Sequence, residues 1–175
     1  MTLSERRRVN QKLHQARLLL MAAKEPQDEL QQLAWQQTCY EAALAALQGA
    51  FLAFLRELAA AYRLPATQVL KTADLERLAA VRQQRLPELQ QLKAYQTDPA
   101  GALAALQADL AQLELQKLPE AAAEDAWQAK QGDIPLHSVD REEGSLEERQ
   151  LVKAEDYLKQ LQTLFATLRE QLLED

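Results

Sequence analysis

The chain has few of the side chains on which most enzyme active sites depend. It contains one cysteine, two histidines and four glycines among its 175 residues. Because the glycines are isolated, the sequence offers no glycine-rich loop for binding phosphate. A single cysteine excludes an internal disulfide and is typical of a reducing compartment. We therefore expect Cys39, which lies in an apolar helical stretch, to be a small buried thiol.

The histidines do not fit the common metal-binding patterns. A carboxylate-bridged di-metal bundle uses Glu-x-x-His pairs, but Gln11 and Ile134 stand three residues before His14 and His137. A typical zinc site needs clustered cysteine and histidine ligands, whereas these residues are scattered along the chain. The sequence therefore predicts no metal and no cofactor.

Residues that favour strands are also scarce, and no stretch alternates between apolar and polar residues with a period of two. Leucine, alanine, glutamine and glutamate dominate instead, and all four favour helices. We predict an all-α fold. The expected architecture is an antiparallel bundle of four to five helices, forming a single domain over residues 1–175.

Apolar residues spaced by three and four predict which helix faces are buried. The clearest stripe lies near the C-terminus: Leu151, Ala154, Leu158, Leu161, Phe165, Leu168 and Leu172. A helix over residues 3–24 carries a second stripe: Val9, Leu13, Ala16 and Leu20. A long helix over residues 28–62 carries two adjoining stripes, which is typical of a central helix. Asp98 followed by Pro99 predicts the start of a further helix.

Residues 119–144 differ from the rest of the chain. They contain two prolines, two glycines and many charged residues, which predicts a long extended or partly disordered connection before the last helix. Trp127 lies in this connection. Because aromatic side chains are enriched at interfaces, Trp127 is a candidate docking residue, with packing against the bundle as the alternative.

Charge is unevenly distributed along the chain. Residues 1–25 hold six basic against two acidic residues, whereas residues 119–175 hold six against fourteen. We interpret this asymmetry as compensation between the first and last helices, and the net charge of −6 makes nucleic acid an unlikely partner. The longest apolar stretch, residues 42–55, is shorter than the roughly 20 residues of a membrane span. Together these features predict a cytoplasmic protein that does not associate with membranes.

Polar residues that fall beside the apolar stripes are candidates for a binding site. Glu41 lies on a stripe of the long helix, and Asn10 and Arg17 lie seven residues apart beside the stripe of the first helix. Because a buried carboxylate needs a partner, these three residues could form an internal polar cluster. The cluster would fix helix register or, alternatively, form a small ligand pocket.

One enzymatic pattern also occurs. Arg8 and His14 resemble the Arg-x(4–6)-His motif of HEPN-type ribonucleases, which are helical bundles. The resemblance implies an acid/base role for His14 and phosphate binding by Arg8. However, the motif is loose, and six residues of helix turn the two side chains in opposing directions. A ribonuclease role for Arg8 and His14 is therefore the alternative to a purely structural role for the first helix.

Three segments resemble an uncharacterised family of small helical proteins from Pseudomonas-type gammaproteobacteria. They are residues 8–13 (Arg8 to Leu13), residues 41–65 and residues 133–136, and the resemblance extends over nearly the whole chain. It implies a bacterial cytoplasmic helical domain and brings no activity with it. We expect a non-catalytic interaction or accessory protein that binds another protein or a second copy of itself. The alternatives are a HEPN-like ribonuclease, or an inactive relative, and a small-ligand binder.

Overall fold

The computed structural model describes residues 3–116 and 146–174, and these residues form six α-helices and one short 3-10 turn. The helices are α1 (Leu3–Ala22), α2 (Glu29–Ala61), α3 (Thr72–Val81), α4 (Pro87–Thr97), α5 (Ala102–Gln116) and α6 (Leu146–Glu174). The 3-10 turn, Ala66–Gln68, lies between α2 and α3. The all-α prediction is confirmed.

Helices α1 and α2 form an antiparallel hairpin. At one end of the hairpin, the Trp35 indole Nε1 donates a 2.8 Å hydrogen bond to the carbonyl oxygen of Ala22. Further along, a Cβ atom built on Gly49 would lie 3.3 Å from Cδ of Lys12. The N-terminus of α1 therefore lies beside the C-terminal half of α2. The Ala22 carbonyl oxygen also accepts a hydrogen bond from the N–H of Glu25, so Trp35 adds a second donor at the C-terminal end of α1.

Helices α5 and α6 complete the bundle. Phe54 of α2 stacks on Phe165 of α6 with ring centroids 4.3 Å apart. Tyr40 and Tyr157 both donate hydrogen bonds to Asp109 of α5. Since contacts between α2 and α6 advance in the same direction along both helices, α2 and α6 run parallel. Helices α1 and α5 run opposite to them, so the bundle combines antiparallel neighbours with a direct parallel contact between α2 and α6.

The predicted apolar stripes form the core. The stripe of α1 is buried, as are both stripes of α2 up to Leu58. The stripe of α6 is buried from Leu151 to Leu168, and Leu172 packs against it partly exposed. Cys39 is 2% exposed, as predicted. The core therefore lies along α2 from Cys39 to Ala59, and α2 contacts α1, α5 and α6.

The predicted helix start at Asp98 is wrong. Asp98 instead follows the last residue of α4, and its backbone N–H donates to the carbonyl oxygen of Ala94. Its side-chain Oδ1 accepts a hydrogen bond from the N–H of Ala100, and its carbonyl oxygen accepts one from Gly101. An aspartate that bonds its own backbone two residues on makes a turn, so α5 begins only at Ala102.

Helix α2 has a second property that its apolar composition explains. Residues Gln31–Ala61 are long and apolar enough to cross a membrane by length and composition, although 67% of the qualifying window is buried inside the bundle. A buried central helix passes the same test, because it is apolar on several faces. The predicted connection at 119–144, with Trp127, lies outside the described residues.

Candidate functional site

A polar cleft lies where α2, α5 and α6 meet. Tyr40 Oη donates to Asp109 Oδ2 at 3.2 Å, and Tyr157 Oη donates to the same oxygen at 2.8 Å. Lys153 Nζ donates to Asp109 Oδ1 at 2.9 Å. Lys153 and Tyr157 are four residues apart on α6, so they share one face of that helix. The cleft therefore collects polar side chains from three helices around one carboxylate.

The electrostatics of this cleft keep both phenols protonated. Burial, followed by the negative charge of Asp109, raises the pKa of Tyr40 well above its ordinary value. Burial and the hydrogen bond to Asp109 raise the pKa of Tyr157 in the same direction. Because each phenol retains its proton, it remains a donor, and Lys153 compensates the charge of Asp109. The charges at the centre of the cleft are thus satisfied within the protein.

Above this cluster the cleft opens to solvent with a volume of about 460 Å³. Its walls carry amide and cationic side chains, among them Gln37, Gln112 and Arg149. Gln37 Nε2 also donates a 2.9 Å hydrogen bond to Glu41 Oε1. The space is large enough for a small polar molecule.

The predicted internal cluster of Asn10, Arg17 and Glu41 is wrong as a buried arrangement. Asn10 and Arg17 are exposed on α1, and Glu41 is only half-buried, with its carboxylate bonded to Gln37 of its own helix. Because a helix rotates by about 100° per residue, Asn10 and Arg17 lie one step round from Val9 and Ala16, on the flank of the buried stripe. That flank faces solvent. The fourth candidate, Trp127, lies outside the described residues.

The Arg8 and His14 side chains are also exposed on α1. Exposure leaves both groups accessible, and the ribonuclease alternative stays a prediction that rests on the sequence motif. Within the part of the chain that the structure describes, no group of three or more histidine, cysteine or acidic residues is arranged to hold a metal ion.

Two further polar contacts are buried. Arg169 donates from Nε and Nη2 to the two carboxylate oxygens of Glu57, at 2.9 and 2.7 Å. Glu88 is fully buried, and its Oε2 accepts a 2.8 Å hydrogen bond from Tyr62. Its Oε1 lacks a hydrogen-bond partner among the described residues. The first pair joins α2 to α6 and the second joins α2 to α4, so both tie helices together.

The surface around α3 is the second candidate site, which we call the basic corner. It combines five cationic side chains with two exposed apolar ones: Arg63, Lys71, Arg77, Arg82, Arg85, Leu70 and Val81. Val81 is 78% exposed and Leu70 is 67% exposed, the two highest values among the large apolar side chains whose exposure the structure describes. Asp74 and Glu76 are the acidic residues between positions 63 and 85.

Local backbone geometry holds the basic corner in place. Arg63 and Gln83 both have φ of 55°, the left-handed conformation that ends a helix. After each of them the chain makes a hydrogen bond back to its helix, from Leu64 to Ala59 and from Gln84 to Ala79. Arg82 Nη1 donates to the carbonyl oxygen of Arg63 at 3.2 Å. The ends of α2 and α3 are therefore joined directly.

This surface was not predicted from the sequence. Val81 lies about 120° from Leu75 on the helical wheel and points to solvent. The available signal was local charge, since residues 63–85 hold five basic and two acidic residues in a chain of net charge −6.

Comparison with known proteins adds a family. The sequence matches the profile of a family of unknown function, DUF6586, over residues 1–174. No curated protein and no solved structure matches the chain. The family match extends over the same near-complete length as the resemblance seen in the sequence. The chain belongs to the DUF6586 family of proteins of unknown function.

Proposed function

We propose that this protein is a non-enzymatic accessory protein that binds an acidic partner protein through the basic corner. The observation that carries the proposal is the exposure of Val81 and Leu70 among cationic side chains. Protein interfaces combine an apolar centre with a polar, charged rim. The basic corner combines both kinds of side chain, which lie on α3 and on the segments just before and after it.

The kind of cation indicates the chemistry of the partner. Four of the five cations of the basic corner are arginines, and the planar guanidinium group binds carboxylates through two hydrogen bonds. Arg85 makes no ion pair with a described residue. Arg77 lies 3.8 Å from Asp74, with its side chain 65% exposed. Both guanidinium groups are therefore available to carboxylates of a partner.

Several features favour a protein partner over catalysis or nucleic acid. The polar cleft satisfies the charge of Asp109 internally, and Glu57 is paired with Arg169. A net charge of −6 opposes long-range attraction of nucleic acid. The resemblance to Pseudomonas-type proteins favours a bacterial origin, and the single buried Cys39 is compatible with a reducing cytoplasm.

Affinity capture with matched variants tests the proposal. Tagged wild type, an Arg77→Gln/Arg85→Gln variant and an Arg17→Gln/Lys159→Gln variant would each be incubated with native lysate at low salt. The last variant removes the same charge from exposed positions on α1 and α6. We expect an acidic protein bound by wild type and control, and recovered about tenfold less with the corner variant. Equal recovery on all three proteins would contradict the proposal.

A second candidate function is binding of a small polar molecule in the cleft. Its support is the open volume of about 460 Å³ beside Lys153 and Asp109. A ligand that binds the folded state raises the melting temperature. A thermal-shift screen with amino acids, nucleotides and organic acids should give a shift in wild type that Lys153→Met reduces. No shift with any compound would remove the support for this function.

A further inference from the structure

The described part of the bundle has two ends of opposite charge. One end contains the N-terminus of α1, the C-termini of α2 and α6 and the basic corner. The half toward it, residues 3–12, 46–104 and 161–174, holds twelve basic and eight acidic residues. The opposite half, residues 13–45, 105–116 and 146–160, holds five basic and ten acidic residues. The charge changes sign along the bundle axis.

Two exposed apolar side chains also lie toward the acidic end. Leu33, in the first turns of α2, is 54% exposed, and Leu146, the first residue of α6, is 60% exposed. Leu33 continues the stripe of α2 beyond the stretch that the neighbouring helices bury. We call this surface, together with the acidic residues around it, the acidic end: Leu33, Leu146, Glu25, Asp28, Glu114 and Glu147.

The carboxylates of the acidic end are available to a partner. Glu25, Asp28 and Glu114 are exposed, and Glu147 is partly exposed. Asp28 occupies the position before α2 but makes no side-chain capping bond. None of these four carboxylates pairs with a cation of the described residues. The acidic end thus carries exposed apolar and acidic side chains, and the basic corner carries exposed apolar and basic ones.

We propose that these two faces bind each other in different copies of the chain, so that the acidic end of one molecule docks on the basic corner of the next. This inference rests on the proposed function, because it names the partner of the basic corner. The occupant is argued from complementarity, since both surfaces carry exposed apolar side chains and their charges are of opposite sign. A second copy is a partner whose acidic, apolar surface the structure itself displays.

The geometry determines the kind of assembly. Helix α2, with 33 residues, is about 50 Å long and separates the two faces. A molecule therefore cannot satisfy its own basic corner. Contact between two different surfaces is head-to-tail, and without ring closure it adds copies one after another. The association should strengthen with protein concentration and weaken with salt, which screens exposed charges.

Analytical ultracentrifugation of the full chain tests this arrangement. The samples are wild type, the corner variant Arg77→Gln/Arg85→Gln, and an acidic-end variant, Glu25→Gln/Glu114→Gln. The matched control is Arg17→Gln/Lys159→Gln. Each would be measured over a wide concentration range at low salt and at about 0.5 M salt. Helix content by circular dichroism confirms that every variant is folded.

We expect the average mass of wild type and control to rise with concentration at low salt and to fall toward the monomer at high salt. Each end variant alone should associate about tenfold more weakly. An equimolar mixture of the two end variants should form a dimer and no larger species. Each dimer contains one intact corner and one intact acidic end, and these two surfaces are already bound to each other.

Two results would overturn the inference. The first is a monomer at every concentration and salt, and the second is association that neither end variant weakens. The proposed function is judged separately by the capture experiment. If the corner variant loses a different acidic protein while the chain stays monomeric, the basic corner remains a docking site and only the identity of its partner changes.

Discussion

Replacing Arg169 with methionine should destabilise the protein strongly. Its guanidinium group donates two hydrogen bonds to Glu57, whose side chain is 1% exposed, while that of Arg169 is 13% exposed. Methionine preserves most of the apolar stem but leaves the carboxylate buried without a cation. Breaking a buried ion pair in this way typically costs about 3–5 kcal/mol in the free energy of unfolding.

An exposed ion pair in the same protein supplies the comparison. Lys93 pairs with Glu76, and their side chains are 45% and 52% exposed. Because water solvates both charges when the pair is broken, Lys93→Met should cost about 0–1 kcal/mol. The two variants exchange a long cation for the same residue, so the difference between them reports burial.

The double variant Glu57→Leu/Arg169→Met compares the loss of the whole ion pair with the loss of one partner alone. Removing both charges also removes the cost of desolvating them, so we expect it to lie within about 2 kcal/mol of wild type. The double variant should therefore be more stable than Arg169→Met alone. This non-additivity is expected for residues in direct contact.

Urea unfolding monitored by helix circular dichroism measures all of these free energies. A loss of stability in Arg169→Met no larger than that in Lys93→Met would refute the role of burial. A double variant less stable than Arg169→Met would show that the isolated carboxylate is not the source of the cost.

Three further predictions concern stability and access. The pKa values of Tyr40 and Tyr157 are raised in the folded state, so the unfolded chain ionises first as pH rises through about 10. The free energy of unfolding should therefore fall above that pH, and it should fall less in Tyr157→Phe. Gln83→Gly should stabilise the protein by about 0.5–1 kcal/mol in urea unfolding, because Gln83 has φ of 55°; a loss of stability would contradict this. Burial, followed by the charge of Glu25, raises the pKa of the Cys39 thiol. We therefore expect this thiol to react with an aromatic disulfide reagent only on unfolding. Rapid reaction of the native protein would be the opposite result.

Much of the fold could be predicted from the sequence, because helix periodicity determines which residues are buried. The stripes of α1, α2 and α6 repeat every three or four residues, and their members form the core. Helix boundaries were less predictable. Asp98 carries the same local signal whether it starts a helix or makes a turn, and here its bond to Ala100 makes a turn.

The candidate site could not be predicted in the same way. The cleft depends on Tyr40, Asp109 and Tyr157, which lie on three helices and are separated by up to 117 positions in the sequence. Local spacing carries no information about such contacts, so the sequence analysis paired Glu41 with Asn10 and Arg17 instead. A residue that flanks a buried stripe can face a neighbouring helix or solvent, and only the packing of the helices decides between them.

The basic corner shows a second limit. Val81 and Leu70 are apolar, and a pattern of apolar residues predicts burial whether or not another element covers them. The exposure of these side chains follows from the position of α3 at the edge of the bundle. Local charge was the available sequence signal, since residues 63–85, like the first helix, hold an excess of basic residues.

The proposed function is binding of an acidic partner protein at the basic corner. The most direct measurement is the ratio of captured partner between the Arg77→Gln/Arg85→Gln variant and the Arg17→Gln/Lys159→Gln control at low salt. We predict a ratio of about one tenth, since two interface charges are lost in one variant and none in the other. A ratio of one would contradict the claim.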